Sequence, residues 1–314
     1  MKFIKDFKWV KEQSVNDFVE QLGSIGFQSA ELMKAANTVL RMKKNSAKIY
    51  LTFTSNMVTS GLRGLFAQQI KLGLADAVVT TVGSIEEDVM RAKGEQFILG
   101  SFYADDVELH EQGVNRVGNL LIRNESYERF ESLINPMLLE IYQKKPRISS
   151  VELLHEIGSR LNDENSILYQ AYKKDIPVFC PAITDGAFGF HLFMFQQDHK
   201  DFVVDVVKDF HELITSCSID DKKGVIALGG GVSKHYAIFG SLINGGMDYA
   251  VYVTTARPFS GSLSGATTQE AKSWGKIKDD ADASTVVGEA SIIYPLLISY
   301  VFEQLSKEGL LDES

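Results

Sequence analysis

Short β-type runs alternate with helical segments along most of the 314-residue chain, and this alternation is the feature that most limits its fold. The runs are short and mostly apolar, which is typical of strands that are buried on both faces. Strands separated by helices pair in parallel, because the helix returns the chain to the edge where the previous strand began. We therefore expect a doubly wound α/β fold with a mostly parallel sheet. The predicted strands are 48–54, 76–81, 176–180, 225–228 and 250–255.

The first 45 residues are predicted to be helical and to pack on this sheet. Apolar residues between Leu32 and Leu40 recur at the spacing of one helix face, and an earlier helix is expected near 14–22. The chain has no low-complexity tract, long repeat or Pro/Ser-rich linker, so we expect residues 1–314 to form a single domain. Further helices are predicted near 58–72, 151–161 and 201–216.

Composition narrows the class of protein. The chain is 45% hydrophobic, which is enough for a sizeable core, and its net charge of −9 argues against a duplex nucleic-acid binder. That charge weakly favours a cationic partner, although a solubilising surface explains it equally well. The two cysteines, Cys180 and Cys217, form neither a disulfide framework nor a zinc site, so we expect a cytoplasmic location. The charged residues 1–8 predict no signal peptide, and no apolar run reaches membrane-spanning length.

Small polar and acidic residues follow the first two predicted strands. Hydroxyl groups within 54–61 enter a helix, where they can bind phosphate or simply cap the helix. After the second strand, a turn at Gly83 leads to a helix that begins with three carboxylates at 86–88. These carboxylates either interact favourably with the helix dipole or bind an amine cation.

Glycine-containing turns follow two later strands. Asp185 precedes Gly186 after the third strand, where it either serves the turn or binds ribose hydroxyls. Three glycines at 229–231 let the backbone approach a ligand closely after the fourth strand. Their spacing matches neither the dinucleotide fingerprint nor a P-loop, so the spacing alone is a weak signal.

Lys276 lies beside Trp274, past the last predicted strand. A free lysine is mostly protonated at pH 7, but burial against an aromatic ring or a second cation such as Lys272 lowers the pKa of a lysine and frees the amine for imine chemistry. An ordinary surface lysine is the alternative. His235 stands out among the histidines because it follows the glycine-rich turn. The others show no metal-ligand spacing, so no metal site is expected: His110, His155, His191, His199 and His211.

Together these segments resemble the deoxyhypusine synthase family along nearly the whole chain. The resemblance implies a Rossmann-like NAD-binding fold and a homotetramer with active sites at a dimer interface. Enzymes of this family use NAD to oxidise spermidine to an imine and pass the aminobutyl group to an active-site lysine. The group then moves to a lysine of a translation factor precursor, where bound NADH reduces the new imine. The matching segments are 54–56, 60–63, 79–81, 86–88, 176–179, 184–186, 228–232, 234–235, 248–252, 270–271 and 273–277.

The resemblance also implies roles for individual residues. Lys276 resembles the nucleophile that forms the imine, His235 resembles the base near the oxidised amine, and Trp274 resembles a residue flanking the substrate. Glu86 and Glu87 match an acidic pair near the polyamine and the nicotinamide, and Glu87 is also assigned a catalytic role. The other implied substrate contacts are Gly261, Ser262 and Glu270. The implied NAD contacts are Ser55, Asn56, Thr59, Thr81, Gly83, Asp185, Gly230, Thr255, Ala256, Glu289 and Ala290, with Glu289 standing where the family has Asp.

Two positions depart from the family pattern. Phe190 and Leu263 stand where the family has acids that bind amine groups of spermidine. A charge-assisted hydrogen bond contributes roughly 1.5–3 kcal/mol, so losing two is expected to weaken spermidine binding roughly 10²–10⁴-fold. The resemblance therefore leaves three functions open. They are an aminobutyl transferase acting on a protein lysine, a homospermidine synthase-type enzyme with a small-amine acceptor, and a non-catalytic NAD-binding paralogue.

Overall fold

The computed structural model describes residues 3–312 and confirms a mixed α/β fold with a parallel sheet. The first two and last two residues lie outside the described part. They belong to the predicted single domain, and the first two also belong to the charged segment 1–8, for which no signal peptide was predicted. The helices are α1 Val15–Leu22, α2 Gln28–Lys44, α3 Ser55–Met57, α4 Arg63–Lys71, α5 Val82–Ala92, α6 Asp106–Glu111, α7 Asn124–Lys144, α8 Ser150–Gly158, α9 Ile167–Lys174, α10 Ala187–Asp198, α11 Val206–Thr215, α12 Gly231–Gly240, α13 Thr268–Ser273 and α14 Ala290–Lys307. The strands are β1 Lys48–Phe53, β2 Ala77–Val79, β3 Ile98–Leu99, β4 Val114–Val117, β5 Leu120–Arg123, β6 Arg147–Ile148, β7 Val178–Phe179, β8 Val203–Val204, β9 Lys223–Leu228, β10 Met247–Thr254 and β11 Ile277–Val287.

The chain divides into two compact units. Unit 1 contains the residues up to Phe53, the segment Leu72–Val79 and the residues from His211 onward. Unit 2 contains Thr54–Lys71 and Thr80–Phe210. The predicted strands and helices therefore divide between two units, and the single-domain interpretation stays a prediction.

Unit 1 is built on five parallel strands in the order β11-β10-β9-β1-β2. Helices cover both faces of β10. Asn45 at the end of α2 donates a hydrogen bond to the hydroxyl of Tyr249, whereas the ammonium of Lys234 in α12 lies 4.6 Å from the ring centroid of Tyr252. Residues three apart in a strand point to opposite faces, so α2 and α12 lie on opposite sides of the sheet, as in a doubly wound fold.

Unit 2 contains α5, which carries the acidic pair, and α10, which follows the turn that contains Asp185. It also contains two small sheets. Three short antiparallel strands pair in the order β3-β5-β4, and β6 pairs with β8 in parallel. None of these strands was predicted. Their side chains are largely exposed or half-buried, so they lack the continuous apolar run that marks a buried strand.

The structure corrects four sequence predictions. Residues 3–14 are not helical, although the first 45 residues were predicted to be, because their side chains are mostly exposed and no buried face stabilises a helix there. Gly83 is the second residue of α5 and not part of a turn before it. The helix predicted at 201–216 is preceded by β8 and spans only Val206–Thr215. The last predicted strand is followed by a further one, because β11 pairs with β10 over its whole length apart from one register shift. The polar sequence of β11 hid it, and Lys276 precedes this strand instead of following the last one.

No helix within residues 3–312 has both the length and the apolar character required to cross a membrane.

Candidate active site

The acidic pair lies in the second turn of α5 in unit 2, where both side chains are buried. The prediction that these carboxylates begin the helix is wrong, because α5 starts at Val82 and its first turn contains no acid, so the helix-dipole alternative does not explain them. The backbone N–H of Phe188 donates to Glu86 Oε1 at 2.8 Å. Gly186 lies against the same carboxyl group, since a Cβ at Gly186 would come within 2.5 Å of Glu86 Oε1. The turn that contains Asp185 is therefore beside Glu86, and burial raises the pKa of Glu86.

Glu87 is held by a hydroxyl that comes from a different segment. Thr59 Oγ1 lies 2.8 Å and 2.7 Å from the two carboxyl oxygens of Glu87. Burial raises the pKa of Glu87 to about 8, and the charge of Glu86 adds to this rise, whereas the hydrogen bond from Thr59 opposes it. Tyr127 lies close enough for burial and these two acids to raise its pKa to about 12. A cation brought to this pair would stabilise the ionised carboxylates.

We predict that Glu87 makes the folded protein less stable as the pH rises. Its folded pKa lies above its unfolded value, so the folded state holds the extra proton and stability falls between about pH 4.5 and pH 8. Glu87→Gln removes this dependence. Between pH 5 and pH 9 the wild type should lose about 3–5 kcal/mol of unfolding free energy relative to this variant.

Urea unfolding at a series of pH values measures this difference. Glu111→Gln, which changes an exposed glutamate of the same unit, is the matched control and should follow the wild type. Parallel curves for the wild type and Glu87→Gln would show that Glu87 is already ionised at neutral pH.

Hydroxyl groups and a glycine gather at the start of α5. The backbone N–H of Ser55 donates to Thr81 Oγ1 at 3.0 Å, and a Cβ at Gly83 would lie 2.8 Å from the Cβ of Ser55. Asn56 accepts a hydrogen bond from the Thr54 hydroxyl at 2.5 Å. The side chains at the helix starts, Thr54 and Thr81, cap neither helix. The capping alternative that was stated for 54–61 is therefore wrong for Thr54.

A cavity of about 160 Å³ lies within unit 1, on the sheet face covered by α12 and α13. Lys276 lines it and is only 8% exposed, with its Nζ 5.1 Å from the ring centroid of Trp274. The surface-lysine alternative is therefore wrong for Lys276. Its other lining residues are Lys234, Ile238, Tyr252, Gly261, Leu263, Ala266, Thr267, Glu270 and Ala271.

The second cation of this cavity is Lys234, not Lys272. The Nζ of Lys272 donates to the carbonyl of Asp279 at 2.6 Å, outside the residues that line the cavity. Lys234 is almost fully buried, and its Nζ donates to the carbonyl of Ala266 at 3.1 Å. Burial lowers the pKa of Lys234 to about 8, with the charge of Glu270 opposing that change.

Tyr252 contributes a buried hydroxyl that sequence reasoning missed. Among the described residues, its hydroxyl is one of a few buried side-chain atoms without a hydrogen-bond partner. Because Tyr252 lines the cavity, a bound polar group can supply the absent partner. Neither Tyr252 nor Lys234 could be singled out by spacing, since both lie in ordinary apolar stretches of a strand and a helix.

His235 follows Lys234 in α12 and stacks on Phe239, with ring centroids 5.3 Å apart. Burial lowers the pKa of His235, and the positive charge of Lys276 lowers it further. The imidazole is therefore neutral at neutral pH and lies within electrostatic reach of the Lys276 amine. A neutral imidazole can accept a proton, which is what a general base requires.

The remaining predicted NAD contacts of unit 1 lie near the carboxyl ends of β9, β10 and β11. The N–H of Gly231 donates to Ser264 Oγ at 3.0 Å, and a Cβ at Gly230 would lie 2.4 Å from the Cα of Ser264. The glycine-rich turn therefore packs against the loop that carries Gly261 and Ser262. Gly288 donates to the carbonyl of Thr254 at 3.0 Å, so Thr255, Ala256, Glu289 and Ala290 come from neighbouring strand ends.

The two departures have different surroundings. Leu263 lines the cavity, where Glu270 is the sole carboxylate among the lining residues. Phe190 lies in α10 and is 59% exposed, with its ring beside those of His191 and Phe193. Leu263 therefore presents an apolar side chain to the cavity of Lys276, whereas Phe190 is largely exposed on α10.

No group of three or more His, Cys, Asp or Glu side chains is arranged to hold a metal ion within the described residues.

Comparisons with known proteins identify the family of this chain. The family model for deoxyhypusine synthase matches residues 17–301. A Thermoplasma acidophilum protein described as "Probable deoxyhypusine synthase" is 39% identical over 298 residues, which cover 94% of this chain and 96% of that protein. One from Ignicoccus hospitalis with the same description is 38% identical over 310 residues, which cover 97% of each chain.

A solved structure is similar over the same extent. The crystal structure named "putative deoxyhypusine synthase" from Entamoeba histolytica superposes with a TM-score of 0.71 and 28% identity, covering 96% of this chain and 97% of that one. The family model and this structure both match most of the chain. The chain belongs to the deoxyhypusine synthase family, whose general activity is NAD-dependent aminobutyl transfer.

Proposed function

We propose that this protein is an NAD-dependent aminoalkyl transferase that oxidises a polyamine and carries the aminoalkyl group on Lys276. The observation that carries the proposal is the buried Lys276 amine in a cavity that also contains Glu270, with His235 nearby. Family membership supplies the reaction type. The acceptor is an amine, with a lysine of a translation factor precursor as the first candidate, and the enzyme acts in the cytoplasm as a homotetramer.

Lys276 and His235 divide the covalent chemistry between them. The amine of Lys276 adds to the imine carbon of the oxidised donor, and the bond from that carbon to the departing amine breaks. His235 is neutral at neutral pH, so it accepts the proton released from the donor nitrogen and returns one to the departing amine. Trp274 shields the Lys276 amine on one side, which limits hydrolysis of the bound imine by water.

Each unit carries groups that fit part of a dinucleotide. The helices α5 and α12 both begin without a side-chain cap and are preceded by Thr81 and Gly230, so the first N–H groups of each helix can bind a phosphate group. We assign further NAD contacts to Ser55, Asn56 and Thr59 in unit 2, and to Thr255, Ala256, Glu289 and Ala290 in unit 1. Asp185 is the candidate for ribose hydroxyls. When bound, NAD supplies a hydride acceptor for the donor and a hydride source for the product.

The acids bind the cationic substrate. Glu86 and Glu87 are buried carboxyls whose ionised forms need a nearby positive charge, and a polyamine nitrogen provides it. Glu270 provides a carboxylate within the cavity of Lys276. Gly261 and Ser262 belong to the exposed loop beside that cavity, where they can contact the rest of the substrate.

The second candidate is a homospermidine synthase-type enzyme with a small-amine acceptor and an altered donor pocket. It is favoured by Leu263, which leaves the cavity with one carboxylate and two lysines. A non-catalytic NAD-binding paralogue is the third candidate. The buried Lys276 amine and its neutral histidine neighbour argue against it, because a binding protein gains nothing from a desolvated nucleophile.

One experiment separates these functions. The protein is incubated with NAD and spermidine, putrescine or agmatine, with and without the translation factor precursor, and the products are identified by mass spectrometry. A mass increase on the precursor supports the first candidate, and new polyamines without that increase support the second. Absence of NADH, of products and of any borohydride-trapped adduct on Lys276 with every amine would overturn the enzymatic function.

A further inference from the structure

Two side-chain bridges join the same pair of segments in unit 2. The first is the hydrogen bond from Thr59 to Glu87, and the second is an ion pair from Arg63 Nε to Asp88 Oδ1 at 2.6 Å. Thr59 and Arg63 are four residues apart, while Glu87 and Asp88 are adjacent. Both bridges therefore connect the turn around Thr59 with the same part of α5.

Asp88 is a fixed point within unit 2. It is fully buried and accepts hydrogen bonds from the Ser166 hydroxyl at 2.8 Å and from the N–H groups of Leu168 and Ile167 at 2.8 Å and 3.2 Å. These donors form the start of α9, so α9 holds Asp88 without help from Arg63. A charge with this many donors stays in place when one of them is removed.

The guanidinium group of Arg63 donates several hydrogen bonds, two of them to Asp88. Besides Asp88 Oδ1, it donates to the Asp88 carbonyl at 3.2 Å and to Asp163 Oδ2 at 2.7 Å. The side chain is 5% exposed, so these bonds are made away from solvent. Such a planar fork defines a position and an orientation that a lysine ammonium cannot reproduce.

The segment that Arg63 terminates has an unusual backbone. Residues Val58–Leu62 form a kink between two helical segments, because Gly61 has a φ of 102°, outside the helical range. Glycine adopts this backbone conformation readily, so contacts on either side of Gly61 are needed to define the direction of the kink. Thr59 lies within this kinked segment and Arg63 follows its last residue. A change in the kink would move Thr59 relative to Glu87.

We propose that Arg63 is a positioning residue, which holds the Thr59 hydroxyl on Glu87 by fixing the kinked segment Val58–Leu62 to Asp88. The hydrogen bonds that Arg63 makes go to Asp88 and Asp163, so we expect it to act on Glu87 through Thr59. The role of Glu87 in catalysis rests on the proposed function, but the effect of Arg63 on Glu87 does not, because it is measured by titration and not by activity. Without Arg63, the ionised form of Glu87 loses its hydroxyl donor and is stabilised less.

The test follows the protonation of Glu87 in the protein without NAD or amine. Infrared titration detects the protonated carboxyl, and Glu87→Gln assigns its band. Arg63→Lys keeps the charge and loses the fork, so we expect the Glu87 midpoint to rise by about half to one pH unit, as for one lost hydrogen bond. Arg116→Lys is the matched control and should leave the midpoint unchanged, since Arg116 makes an equally close pair with Asp106 on the surface of the same unit.

A double-mutant comparison distinguishes positioning from general loosening. Thr59→Val removes the hydroxyl directly and should raise the midpoint at least as much as Arg63→Lys. The combination Thr59→Val with Arg63→Lys should shift it no further than Thr59→Val alone. Additive shifts, or an unchanged midpoint in Arg63→Lys, would overturn the proposal.

Two further measurements complete the test. Asp163→Asn weakens only the outer contact of Arg63, and we expect a smaller shift in the same direction. If Arg63→Lys does not fold, Asp163→Asn becomes the test of the proposal. An unchanged Glu87 midpoint in Asp163→Asn would then overturn it. Because the titration needs no substrate, an inactive wild type that shows these shifts would refute the proposed function and still support the role of Arg63.

Discussion

Lys276→Arg is expected to abolish aminoalkyl transfer, with a loss of at least about 10³-fold, and to leave NAD binding intact. A guanidinium stays protonated in proteins and cannot form an imine, whereas the positive charge and length of the side chain are nearly kept. Lys276 is the buried amine beside Trp274, and the other lysine of the cavity, Lys234, is held by a hydrogen bond to the carbonyl of Ala266.

Three measurements check this expectation: product formation by mass spectrometry, imine trapping by borohydride and NAD binding by fluorescence. Lys272→Arg is the matched control, because Lys272 is four residues away and donates to a backbone carbonyl outside the cavity. It should remain active. If Lys276→Arg folds but fails to bind NAD, the nucleophile has been assigned to the wrong residue. The same conclusion follows if a borohydride adduct forms in this variant.

Restoring acids at the two departures is expected to improve the use of spermidine by roughly 10²–10⁴-fold in kcat/KM. The double variant Leu263→Asp with Phe190→Asp supplies one carboxylate in the cavity and one on α10. Each acid can make a charge-assisted hydrogen bond to an amine group, which an apolar side chain cannot make. The main change should be a lower KM, because the acids contact the substrate before and during the reaction.

Two control variants separate the effect of the added charges from other effects of the substitutions. One has an uncharged side chain at position 263, and the other places the acid at a different position of α10. Leu263→Asn has nearly the same shape as the aspartate without its charge, and Phe193→Asp places an acid one helical turn from Phe190. Both should leave the spermidine KM close to that of the wild type. An unchanged KM in the double variant would contradict the pocket argument. A loss of the preferred amine together with a gain for spermidine would identify the departures as the determinants of donor choice.

The sequence predicted the parallel core well because buried strands carry their own signal. Runs such as 225–228 are apolar throughout and are bounded by glycine, so strand and helix could be told apart. The strand β11 lacks this signal, since Asp279 and Asp280 face solvent along it. Because β11 was missed, Lys276 was predicted to follow the last strand, whereas it directly precedes β11.

The candidate site was predictable in its residue types and not in its pairings. The sequence showed that Glu87 and Lys276 are unusual, but it could not show that Thr59 reaches Glu87 across 28 positions. Lys272 and Lys234 were indistinguishable as neighbours of Lys276, because which lysine enters the cavity depends on how α12 and α13 pack. Tertiary contacts of this kind are set by the fold as a whole and leave no local periodicity.

The polar character that concealed β11 has a consequence for the protein in solution. Within unit 1 this eleven-residue strand lies at the edge of the sheet, where a row of backbone N–H and C=O groups faces away from β10. Two groups of this strand are already bonded, because the carbonyl of Asp279 accepts from Lys272 and the N–H of Val287 donates to Gln28. The exposed carboxylates of Asp279 and Asp280 repel a second copy of the same edge, and Asp282 is engaged by Arg41. Apolar substitutions at these aspartates would make the strand easier to predict from the sequence. They would also remove the charges that oppose edge-to-edge pairing, so we expect such variants to aggregate more readily than the native chain.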